Sequence, residues 1–368
     1  MSQSKHDWML NSPILTMVII SSLPILPAIA FITAFDLFEA WLISQLCTSL
    51  LTAYSYSSPL TLAMTGVAIA MSIATNSWIC RTKTKHNKFC ETSINQNIFR
   101  SIFVCLSISM CLSILLYLLI EQLMFADTTN QSSKELVLAS EYSQLRLLGW
   151  VSITLIWLIS GVLRSLGYFK QASLVLMAWI LTKTCLVFVF VNSGQCSQYV
   201  DNGLIGSAYA HIITDTFFAT CSVIYIYRLR TTSRTINLKR IEWLDTISQL
   251  SIVGVNAGVQ QLFTPISIGV LTIYIAFVND AMVPILSIVF RIEAFCLLIP
   301  MVFTASLPGL LATNWWEGKL DRVKSLILTS FSLIALVQVS LAMIINYRAP
   351  EIAALMTDDL TLHPPLEQ

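Results

Sequence analysis

The chain has 368 residues, of which 56% are hydrophobic and only 11% are charged. Soluble domains carry about 25% charged residues, so this composition excludes a soluble globular protein and indicates a polytopic membrane protein. The formal net charge of +1 gives no basis for nucleic-acid binding. The nine cysteines show no metal-ligand spacing, so we expect neither a metal site nor a disulfide framework.

Nine apolar runs approach the length needed to cross a bilayer, which takes about 20 predominantly apolar residues. They cover residues 13–36, 47–79, 98–124, 147–162, 172–191, 204–227, 247–277, 283–312 and 325–345. The second and eighth runs are long enough to be tilted or broken. The sequence therefore predicts an all-α fold of about nine transmembrane helices, joined by short polar loops without a separate soluble domain.

The basic residues are distributed unequally between the two sides of these spans. If the N-terminus lies in the cytoplasm, sixteen of the 21 Lys and Arg residues flank the cytoplasmic ends. The outer flanks hold Lys134, Arg146 and Arg348, and the apolar runs contain Lys183 and Arg291. This asymmetry follows the positive-inside rule and predicts a cytoplasmic N-terminus. We expect a multi-pass protein of the bacterial inner membrane, in contact with membrane lipid.

The first span contains a carboxylate, Asp36, near the far end of LPILPAIAFITAFDLFE (residues 23–39). A charged side chain at membrane depth costs about 2.5–3.5 kcal/mol on insertion scales, so such residues usually mark functional sites. Two interpretations of Asp36 remain open. It is either a hydrated residue at the outer interface or a binding site for a cation or proton.

Two further groups of polar residues lie inside apolar runs. Lys183, with Thr184 beside it, falls near the middle of the fifth span. One hypothesis pairs Lys183 with Asp36, and the alternative is a snorkelling or degenerate lysine. In the sixth span, His211 and Asp215 are four residues apart and so share a helix face. This spacing is typical either of a proton relay or of a hydrogen-bonded packing pair.

A short motif occurs twice, as ATNSW at residues 74–78 and ATNWW at residues 312–316. Each copy precedes a short basic loop, and each follows an apolar run that ends in an aspartate, Asp36 or Asp280. The repeat predicts two lobes, an N-lobe of six spans over residues 1–240 and a partial C-lobe of three spans over residues 241–368. Internal repeats with a site at their interface are typical of secondary transporters.

Several segments, in the same order along the chain, resemble the multidrug and toxic compound extrusion (MATE) transporters. They are GVLRSLG at 161–167, GLIGSAYA at 203–210, and FRIEAF at 290–295 with Pro300, Pro308-Gly309 and Asn314. The resemblance implies a bundle of two lobes arranged as an inverted V. It also implies export of small cationic or amphipathic compounds in exchange for Na⁺ or H⁺, with Asp36 matching the coupling aspartate of the family. It implies neither catalysis nor an organic cofactor.

The chain also departs from that family. It ends near residues 358–359, where three further helices are expected, and Lys183 stands in a region where the family offers an Asn and an Asp. Two alternatives to a drug exporter therefore remain: a flippase for a lipid-linked substrate on the same fold, and a truncated remnant without transport activity. The sequence does not indicate an oligomeric state.

Overall fold

The computed structural model describes residues 8–85, 91–125, 134–195, 202–229, 240–278 and 282–356. Across these ranges the chain forms twelve long helices and no strand. In chain order they are α1 Ile14–Ser22, α2 Leu26–Ser44, α3 Thr48–Lys85, α4 Glu91–Phe125, α5 Lys134–Leu148, α6 Trp150–Ser165, α7 Phe169–Gln195, α8 Asn202–Leu229, α9 Arg240–Val278, α10 Val283–Cys296, α11 Leu298–Trp316 and α12 Leu320–Met356.

Eight of these helices are long and apolar enough to cross a membrane. The pair α5 and α6, bent by 47° at their junction, makes a ninth. The sequence-based prediction of an all-α bundle with about nine spans is therefore confirmed. Helices suit this environment because each one satisfies its own backbone hydrogen bonds, for which the hydrocarbon core offers no water.

The first span is broken where the sequence has two prolines. Helix α1 ends at Ser22, residues 23–25 form a turn, and α2 begins at Leu26 with Pro27 in its first turn. Proline lacks an N–H group and cannot continue the preceding helix, but it fits well into the first turn of a new one. The break lets α2 extend to Ser44, eight residues beyond the predicted end of the span at Asp36.

The fourth span begins earlier than predicted. The sequence analysis placed it at residues 147–162, whereas the structure continues the helix back to Lys134 through α5. One face of α5 is buried, including Leu138, Tyr142 and Arg146, while polar residues occupy other positions. This mixture lowers the mean hydropathy and hides the helix from a search for apolar runs. Arg146 therefore lies inside the bundle, and its assignment to the outer flank was wrong.

Helix α3 lies at the centre of the bundle and packs against α5, α6, α9 and α11. Its contact with α6 is close, because a Cβ atom added at Gly161 would clash with Ser72 Oγ. Across the same contact Ser72 Oγ donates to the Trp157 carbonyl at 2.8 Å, and Arg164 Nη2 donates to Ser72 Oγ at 3.2 Å. The first half of the chain is thus tightly packed around α3 and α6.

The turns after α6 and α11 share one geometry. Gly167 and Gly318 both have positive φ, 82° and 73°, which glycine adopts without steric cost. In each turn the glycine and the residue after it donate backbone hydrogen bonds to the last helical turn, the arrangement of a glycine C-cap.

The division into two lobes remains a prediction, and Asp280, the second aspartate of the repeat, lies outside the described residues.

The two halves of the chain meet at the end of the bundle that is predicted to be cytoplasmic. Arg322 Nη2 donates to the Ser12 carbonyl at 2.7 Å, and Asn314 Nδ2 donates to the Met9 carbonyl at 3.2 Å. Deeper in the bundle, the hydroxyls of Ser22 and Ser306 are 2.8 Å apart. These contacts join the start of the chain to α11 and α12, and we call the contacts of residues 9–12 with residues 314–322 the inner clamp.

Candidate functional site

A cavity of ≈ 130 Å³ lies inside the bundle between α2, α3, α5, α6, α7, α8 and α10. Its walls combine aromatic rings with an unusual number of ionisable groups for a membrane protein. The ionisable lining residues are Asp36, Glu39, Tyr54, Tyr142, Arg146, Lys183, His211 and Arg291. Charged residues at membrane depth are rare and mark substrate or ion pathways, so this cavity is the candidate functional site.

Helix spacing explains how these residues reach one space. Asp36 and Glu39 are three residues apart on α2, and Tyr142 and Arg146 are four apart on α5. The same four-residue interval separates Trp179 from Lys183, His211 from Asp215, and Ser287 from Arg291. Residues at these intervals share a helix face. Each helix thus presents one polar face to the interior and apolar side chains elsewhere.

Lys183 and Asp215 form a buried ion pair at one side of the cavity. Lys183 Nζ lies 2.7 Å from Asp215 Oδ1, and the same oxygen accepts from Trp179 Nε1 at 2.7 Å. The lysine ammonium also lies 4.2 Å from the centre of the Trp179 ring. Arg146 Nη1 is 3.8 Å from Asp215 Oδ2, within ion-pair range but too far for a direct hydrogen bond.

Glu39 is held by two donors from neighbouring helices. His211 Nε2 donates to Glu39 Oε1 at 2.7 Å, and Tyr54 Oη donates to Glu39 Oε2 at 2.9 Å. All three residues are buried, and the Phe35 ring meets the His211 ring edge-on at a centroid distance of 5.6 Å. Both carboxylate oxygens therefore have a partner, which is how a charged group becomes tolerable inside a protein.

Asp36 is the cavity carboxylate without such partners. Arg291 Nη1, which comes from α10, donates to the backbone carbonyl of Asp36 at 3.1 Å. Within the described part of the chain, the Asp36 carboxylate has no ion pair within 4.0 Å and accepts no hydrogen bond. The Arg291 guanidinium instead lies 4.6 Å from the centre of the Tyr54 ring. Asp36 is thus the carboxylate best placed to bind something that enters the cavity.

The structure brings together most of the residues that the sequence singled out. Asp36, Lys183 and His211 line the cavity, and Asp215 reaches its edge through Lys183. Thr184 is not among the lining residues, and its hydroxyl bonds to the Ile180 carbonyl of its own helix at 2.8 Å.

The predicted pairings differ from those in the structure. Lys183 pairs with Asp215 and not with Asp36, and His211 pairs with Glu39 and not with Asp215. Spacing along one helix shows which residues share a face, but the partner of each residue comes from another helix. Neither pairing could therefore be inferred from the spacing alone.

Sequence reasoning missed Glu39, Tyr54 and Arg146. Glu39 fell beyond the predicted end of the first span at residue 36, and Arg146 was assigned to an outer flank, where charged residues are ordinary. A signal was available, because Glu39 follows Asp36 by three residues and Arg146 follows Tyr142 by four, which places each pair on one face.

Among the described residues, no three His, Cys, Asp or Glu side chains converge in a way that could hold a metal ion.

Comparison with known proteins gives consistent matches. Residues 24–189 match the MatE family model. A FAD transporter of Shewanella oneidensis is 23% identical over 353 residues, which cover 95% of this chain and 76% of that protein. A MOP superfamily transporter from Pyrococcus furiosus superposes with a TM-score of 0.82 at 18% identity, over 98% of this chain and 77% of that one. A Vibrio cholerae MATE transporter gives a TM-score of 0.78 at 19% identity, over 96% and 78% of the two chains.

Proposed function

We propose that this chain, whose residues 24–189 match the MatE family model, is a secondary transporter of the MATE family that exports small amphipathic molecules across the bacterial inner membrane. We further propose that an H⁺ or Na⁺ gradient drives this transport, with Asp36 as the coupling carboxylate. Export of cationic compounds by exchange with the ion is the form that the family resemblance implies.

The observation that carries this proposal is the Asp36 carboxylate, which lines the cavity without an ion pair among the described residues. A proton, Na⁺ or an organic cation can neutralise an unpaired carboxylate at this depth, so the coupling ion and a cationic substrate can compete for this group. Glu39 and Asp215 already accept hydrogen bonds or ion pairs from neighbouring side chains. They are therefore less suited to exchange a ligand in each cycle.

Contacts across the cavity offer a way for binding to alter the structure. Arg291, on α10 in the second half of the chain, contacts the Asp36 carbonyl and the Tyr54 ring in the first half. Occupancy of Asp36 changes the charge that faces Arg291 and so changes the balance of contacts between α2 and α10. Alternating access in transporters built from repeats is largely a movement of one bundle against the other around a central site.

Two classes of substrate are compatible with this proposal. The relative named as a FAD transporter supports an organic substrate with an aromatic ring. A flippase for lipid-linked substrates remains a second candidate, because Arg146 adds a third cation to Lys183 and Arg291 in the cavity. The alternative of a non-transporting remnant predicts that no substrate crosses the membrane.

The experiment is transport by the purified full chain in proteoliposomes, with an imposed pH or Na⁺ gradient and ethidium or FMN as the cargo. We expect gradient-dependent movement of at least one cargo, and loss of the gradient dependence in Asp36→Asn. The matched control is Asp321→Asn, an exposed aspartate in the first turn of α12, which should transport like the wild type. Absence of transport by correctly inserted, folded protein would favour the remnant.

A further inference from the structure

We propose that the cavity contains an anion subsite centred on Arg146, which binds the phosphate or carboxylate group of an aromatic organic molecule. The inference rests on the proposed transport function only for the movement of that molecule across the membrane. Binding itself follows from the arrangement of donors, acceptors and rings in the cavity and can be measured without transport.

Arg146 is a buried guanidinium with unused donors. Its exposed fraction is 7%, it lines the cavity, and its Nε and Nη1 atoms have no hydrogen-bond partner among the described residues. Asp215 Oδ2 is the nearest acidic oxygen, and it lies 3.8 Å from Nη1. A guanidinium presents a planar fork of N–H groups that matches the paired oxygens of a carboxylate or phosphate. Arg146 is therefore open to a ligand of that shape.

Several buried donors around this space lack an acceptor. Besides Arg146, the lining side chains of Arg291 and Trp157 each hold a buried N–H, Nε and Nε1, without a partner in the described part of the chain. In the same part of the chain, the acceptors without a donor are Asp215 Oδ2, His211 Nδ1 in one tautomer, and the Asp36 carboxylate. Buried polar groups in native proteins are nearly always hydrogen-bonded. A ligand that supplies acceptor oxygens beside Arg146 would satisfy its Nε and Nη1 donors.

Charged groups from α2, α5, α7, α8 and α10 surround the space that an incoming anion would enter. The charge of Lys183 on α7 is balanced by Asp215 on α8. Glu39 on α2 has both oxygens occupied by His211 and Tyr54.

What remains is Arg146 on α5 and Arg291 on α10, opposed by the carboxylates of Asp36 and Glu39 on α2. An anion therefore meets two guanidinium groups and two carboxylates, of which only Glu39 has its oxygens hydrogen-bonded by neighbouring side chains. Removing the charge of Asp36 should strengthen anion binding, whereas it should weaken the binding of a cation.

The aromatic part of the proposed ligand follows from the other lining residues. Phe35, Trp157, Trp179 and Phe290 line the same cavity as Arg146. Such rings pack favourably against a planar ring system in offset or edge-to-face geometry. The cavity volume of ≈ 130 Å³ has room for an anionic head group or a single ring, so a larger ligand requires the wider conformations of a transport cycle.

The experiment compares FMN with riboflavin, which share one ring system and differ by a phosphate group. Binding to the purified full chain in detergent is followed by flavin fluorescence, with ethidium as the cationic probe and dodecyl phosphate as an aliphatic anion. The variants are Arg146→Gln, Arg146→Lys and Asp36→Asn. The matched control is Arg164→Gln, which removes an equally buried arginine of α6 that is not among the lining residues.

We expect the wild type to bind FMN at least ten-fold more tightly than riboflavin. Arg146→Gln should reduce this preference to near parity, Arg146→Lys should retain part of it, and Arg164→Gln should keep it. Asp36→Asn should bind FMN more tightly than the wild type and ethidium less tightly. This opposite response of the two probes gives a test that does not depend on whether the Arg146 variants fold.

Equal affinity for FMN and riboflavin, no detectable FMN binding, or an unchanged preference in folded Arg146→Gln would each overturn the anion subsite. Dodecyl phosphate binding as tightly as FMN would overturn the aromatic part of the inference. Ethidium transport by protein that does not bind FMN would leave the proposed function standing without this subsite. FMN binding without transport of any cargo would support the anion subsite and contradict the proposed transport function.

Discussion

Lys183 and Asp215 neutralise each other inside the bundle, with Lys183 Nζ 2.7 Å from Asp215 Oδ1 and both side chains at most 4% exposed. The pair joins α7 to α8, and Trp179 donates to the same carboxylate oxygen. Two charges at this depth are tolerable only together, because removal of either leaves the other buried and uncompensated. The sequence had suggested Asp36 as the partner of Lys183, so the identity of the partner can be tested by substitution.

We expect Lys183→Met to lower the free energy of unfolding by about 3–5 kcal/mol, because the Asp215 charge is left buried without its main partner. The double variant Lys183→Met/Asp215→Leu should recover most of this loss. The measurement is thermal unfolding of the purified chain in detergent, combined in a double-mutant cycle. Lys183→Met/Asp36→Leu is the control and should be no more stable than Lys183→Met alone. Recovery in that control would support the pair proposed from the sequence.

Tyr54→Phe should reduce stability while it preserves the ring that packs beneath Arg291. The substitution removes the donor to Glu39 Oε2 at 2.9 Å and leaves a buried carboxylate oxygen unsatisfied. Such a loss costs about 1–3 kcal/mol. The same thermal unfolding assay applies, and Tyr347→Phe, at an 82% exposed position on α12, should unfold like the wild type. Equal stability of both variants would mean that Tyr54 does not hold Glu39.

A packing prediction concerns the contact between α3 and α6. Gly161→Ala should destabilise the protein by about 1–3 kcal/mol, because the added methyl group would clash with Ser72 Oγ and lie 3.0 Å from the Ser72 carbonyl oxygen. Gly258→Ala is the matched control, since a Cβ atom there has nothing within 4 Å. Alanine also favours a helix over glycine by about 1 kcal/mol. Gly258→Ala should therefore be neutral or stabilising, and a similar loss in both variants would contradict the close contact.

Much of the fold could be predicted from the sequence, because the hydropathy of a segment and the charges that flank it can be read without knowing which helices it contacts. Apolar runs and the position of basic residues predicted nine spans. The fourth span was misplaced because α5 is amphipathic, with Arg146 and Tyr142 on its buried face. A helix with one polar face gives a weak hydropathy signal even when it is packed within the bundle.

The site was predicted only in part, for a different physical reason. Asp36, Lys183, His211 and Asp215 stand out because a charge within an apolar run is costly. Their partners do not all stand out, since Glu39 lies three residues beyond the predicted end of the first span. The partner of each residue depends on how the helices pack in three dimensions. Glu39 on α2 and His211 on α8 are far apart in the chain, and only the packing of the bundle brings them together.

The inner clamp should hold the predicted cytoplasmic end of the bundle closed. Arg322 Nη2 donates to the Ser12 carbonyl at 2.7 Å and its Nε donates to Asn314 Oδ1 at 3.2 Å. Arg322→Ala removes both bonds, so we expect faster modification of Cys80, which is buried where α3 meets α11. The measurement is the rate of maleimide labelling in a variant that keeps Cys80 as its single cysteine.

The control for the clamp is Lys324→Ala, which removes an exposed basic residue from the same helix. It should leave the labelling rate of Cys80 unchanged, because no clamp contact is lost. Similar acceleration in both variants would mean that the charge of this surface, and not the clamp, protects Cys80. An unchanged rate in Arg322→Ala would show that the two bonds do not limit opening.

Cys47 offers a test of topology and of local electrostatics together. It lies between α2 and α3, outside both spans, at the end predicted to face away from the cytoplasm. The Ser49 hydroxyl, 3.1 Å from Cys47 Sγ, donates to the thiolate and lowers the pKa of Cys47 below its ordinary value. A lower pKa raises the thiolate fraction at neutral pH, and the thiolate is the reactive form.

A membrane-impermeant maleimide should therefore label Cys47 from outside intact cells, in a variant that keeps it as the single cysteine. The rate should fall as pH is lowered, because the thiolate becomes protonated, and Ser49→Ala should slow labelling at pH 7 by returning the pKa toward its ordinary value. A single-cysteine variant that keeps only Cys80, which is 1% exposed, is the control and should remain unlabelled. Labelling of Cys47 only after the membrane is permeabilised would reverse the predicted orientation. A labelling rate in Ser49→Ala equal to that of the parent single-cysteine variant would show that the hydrogen bond from Ser49 is not the cause of the reactivity of Cys47.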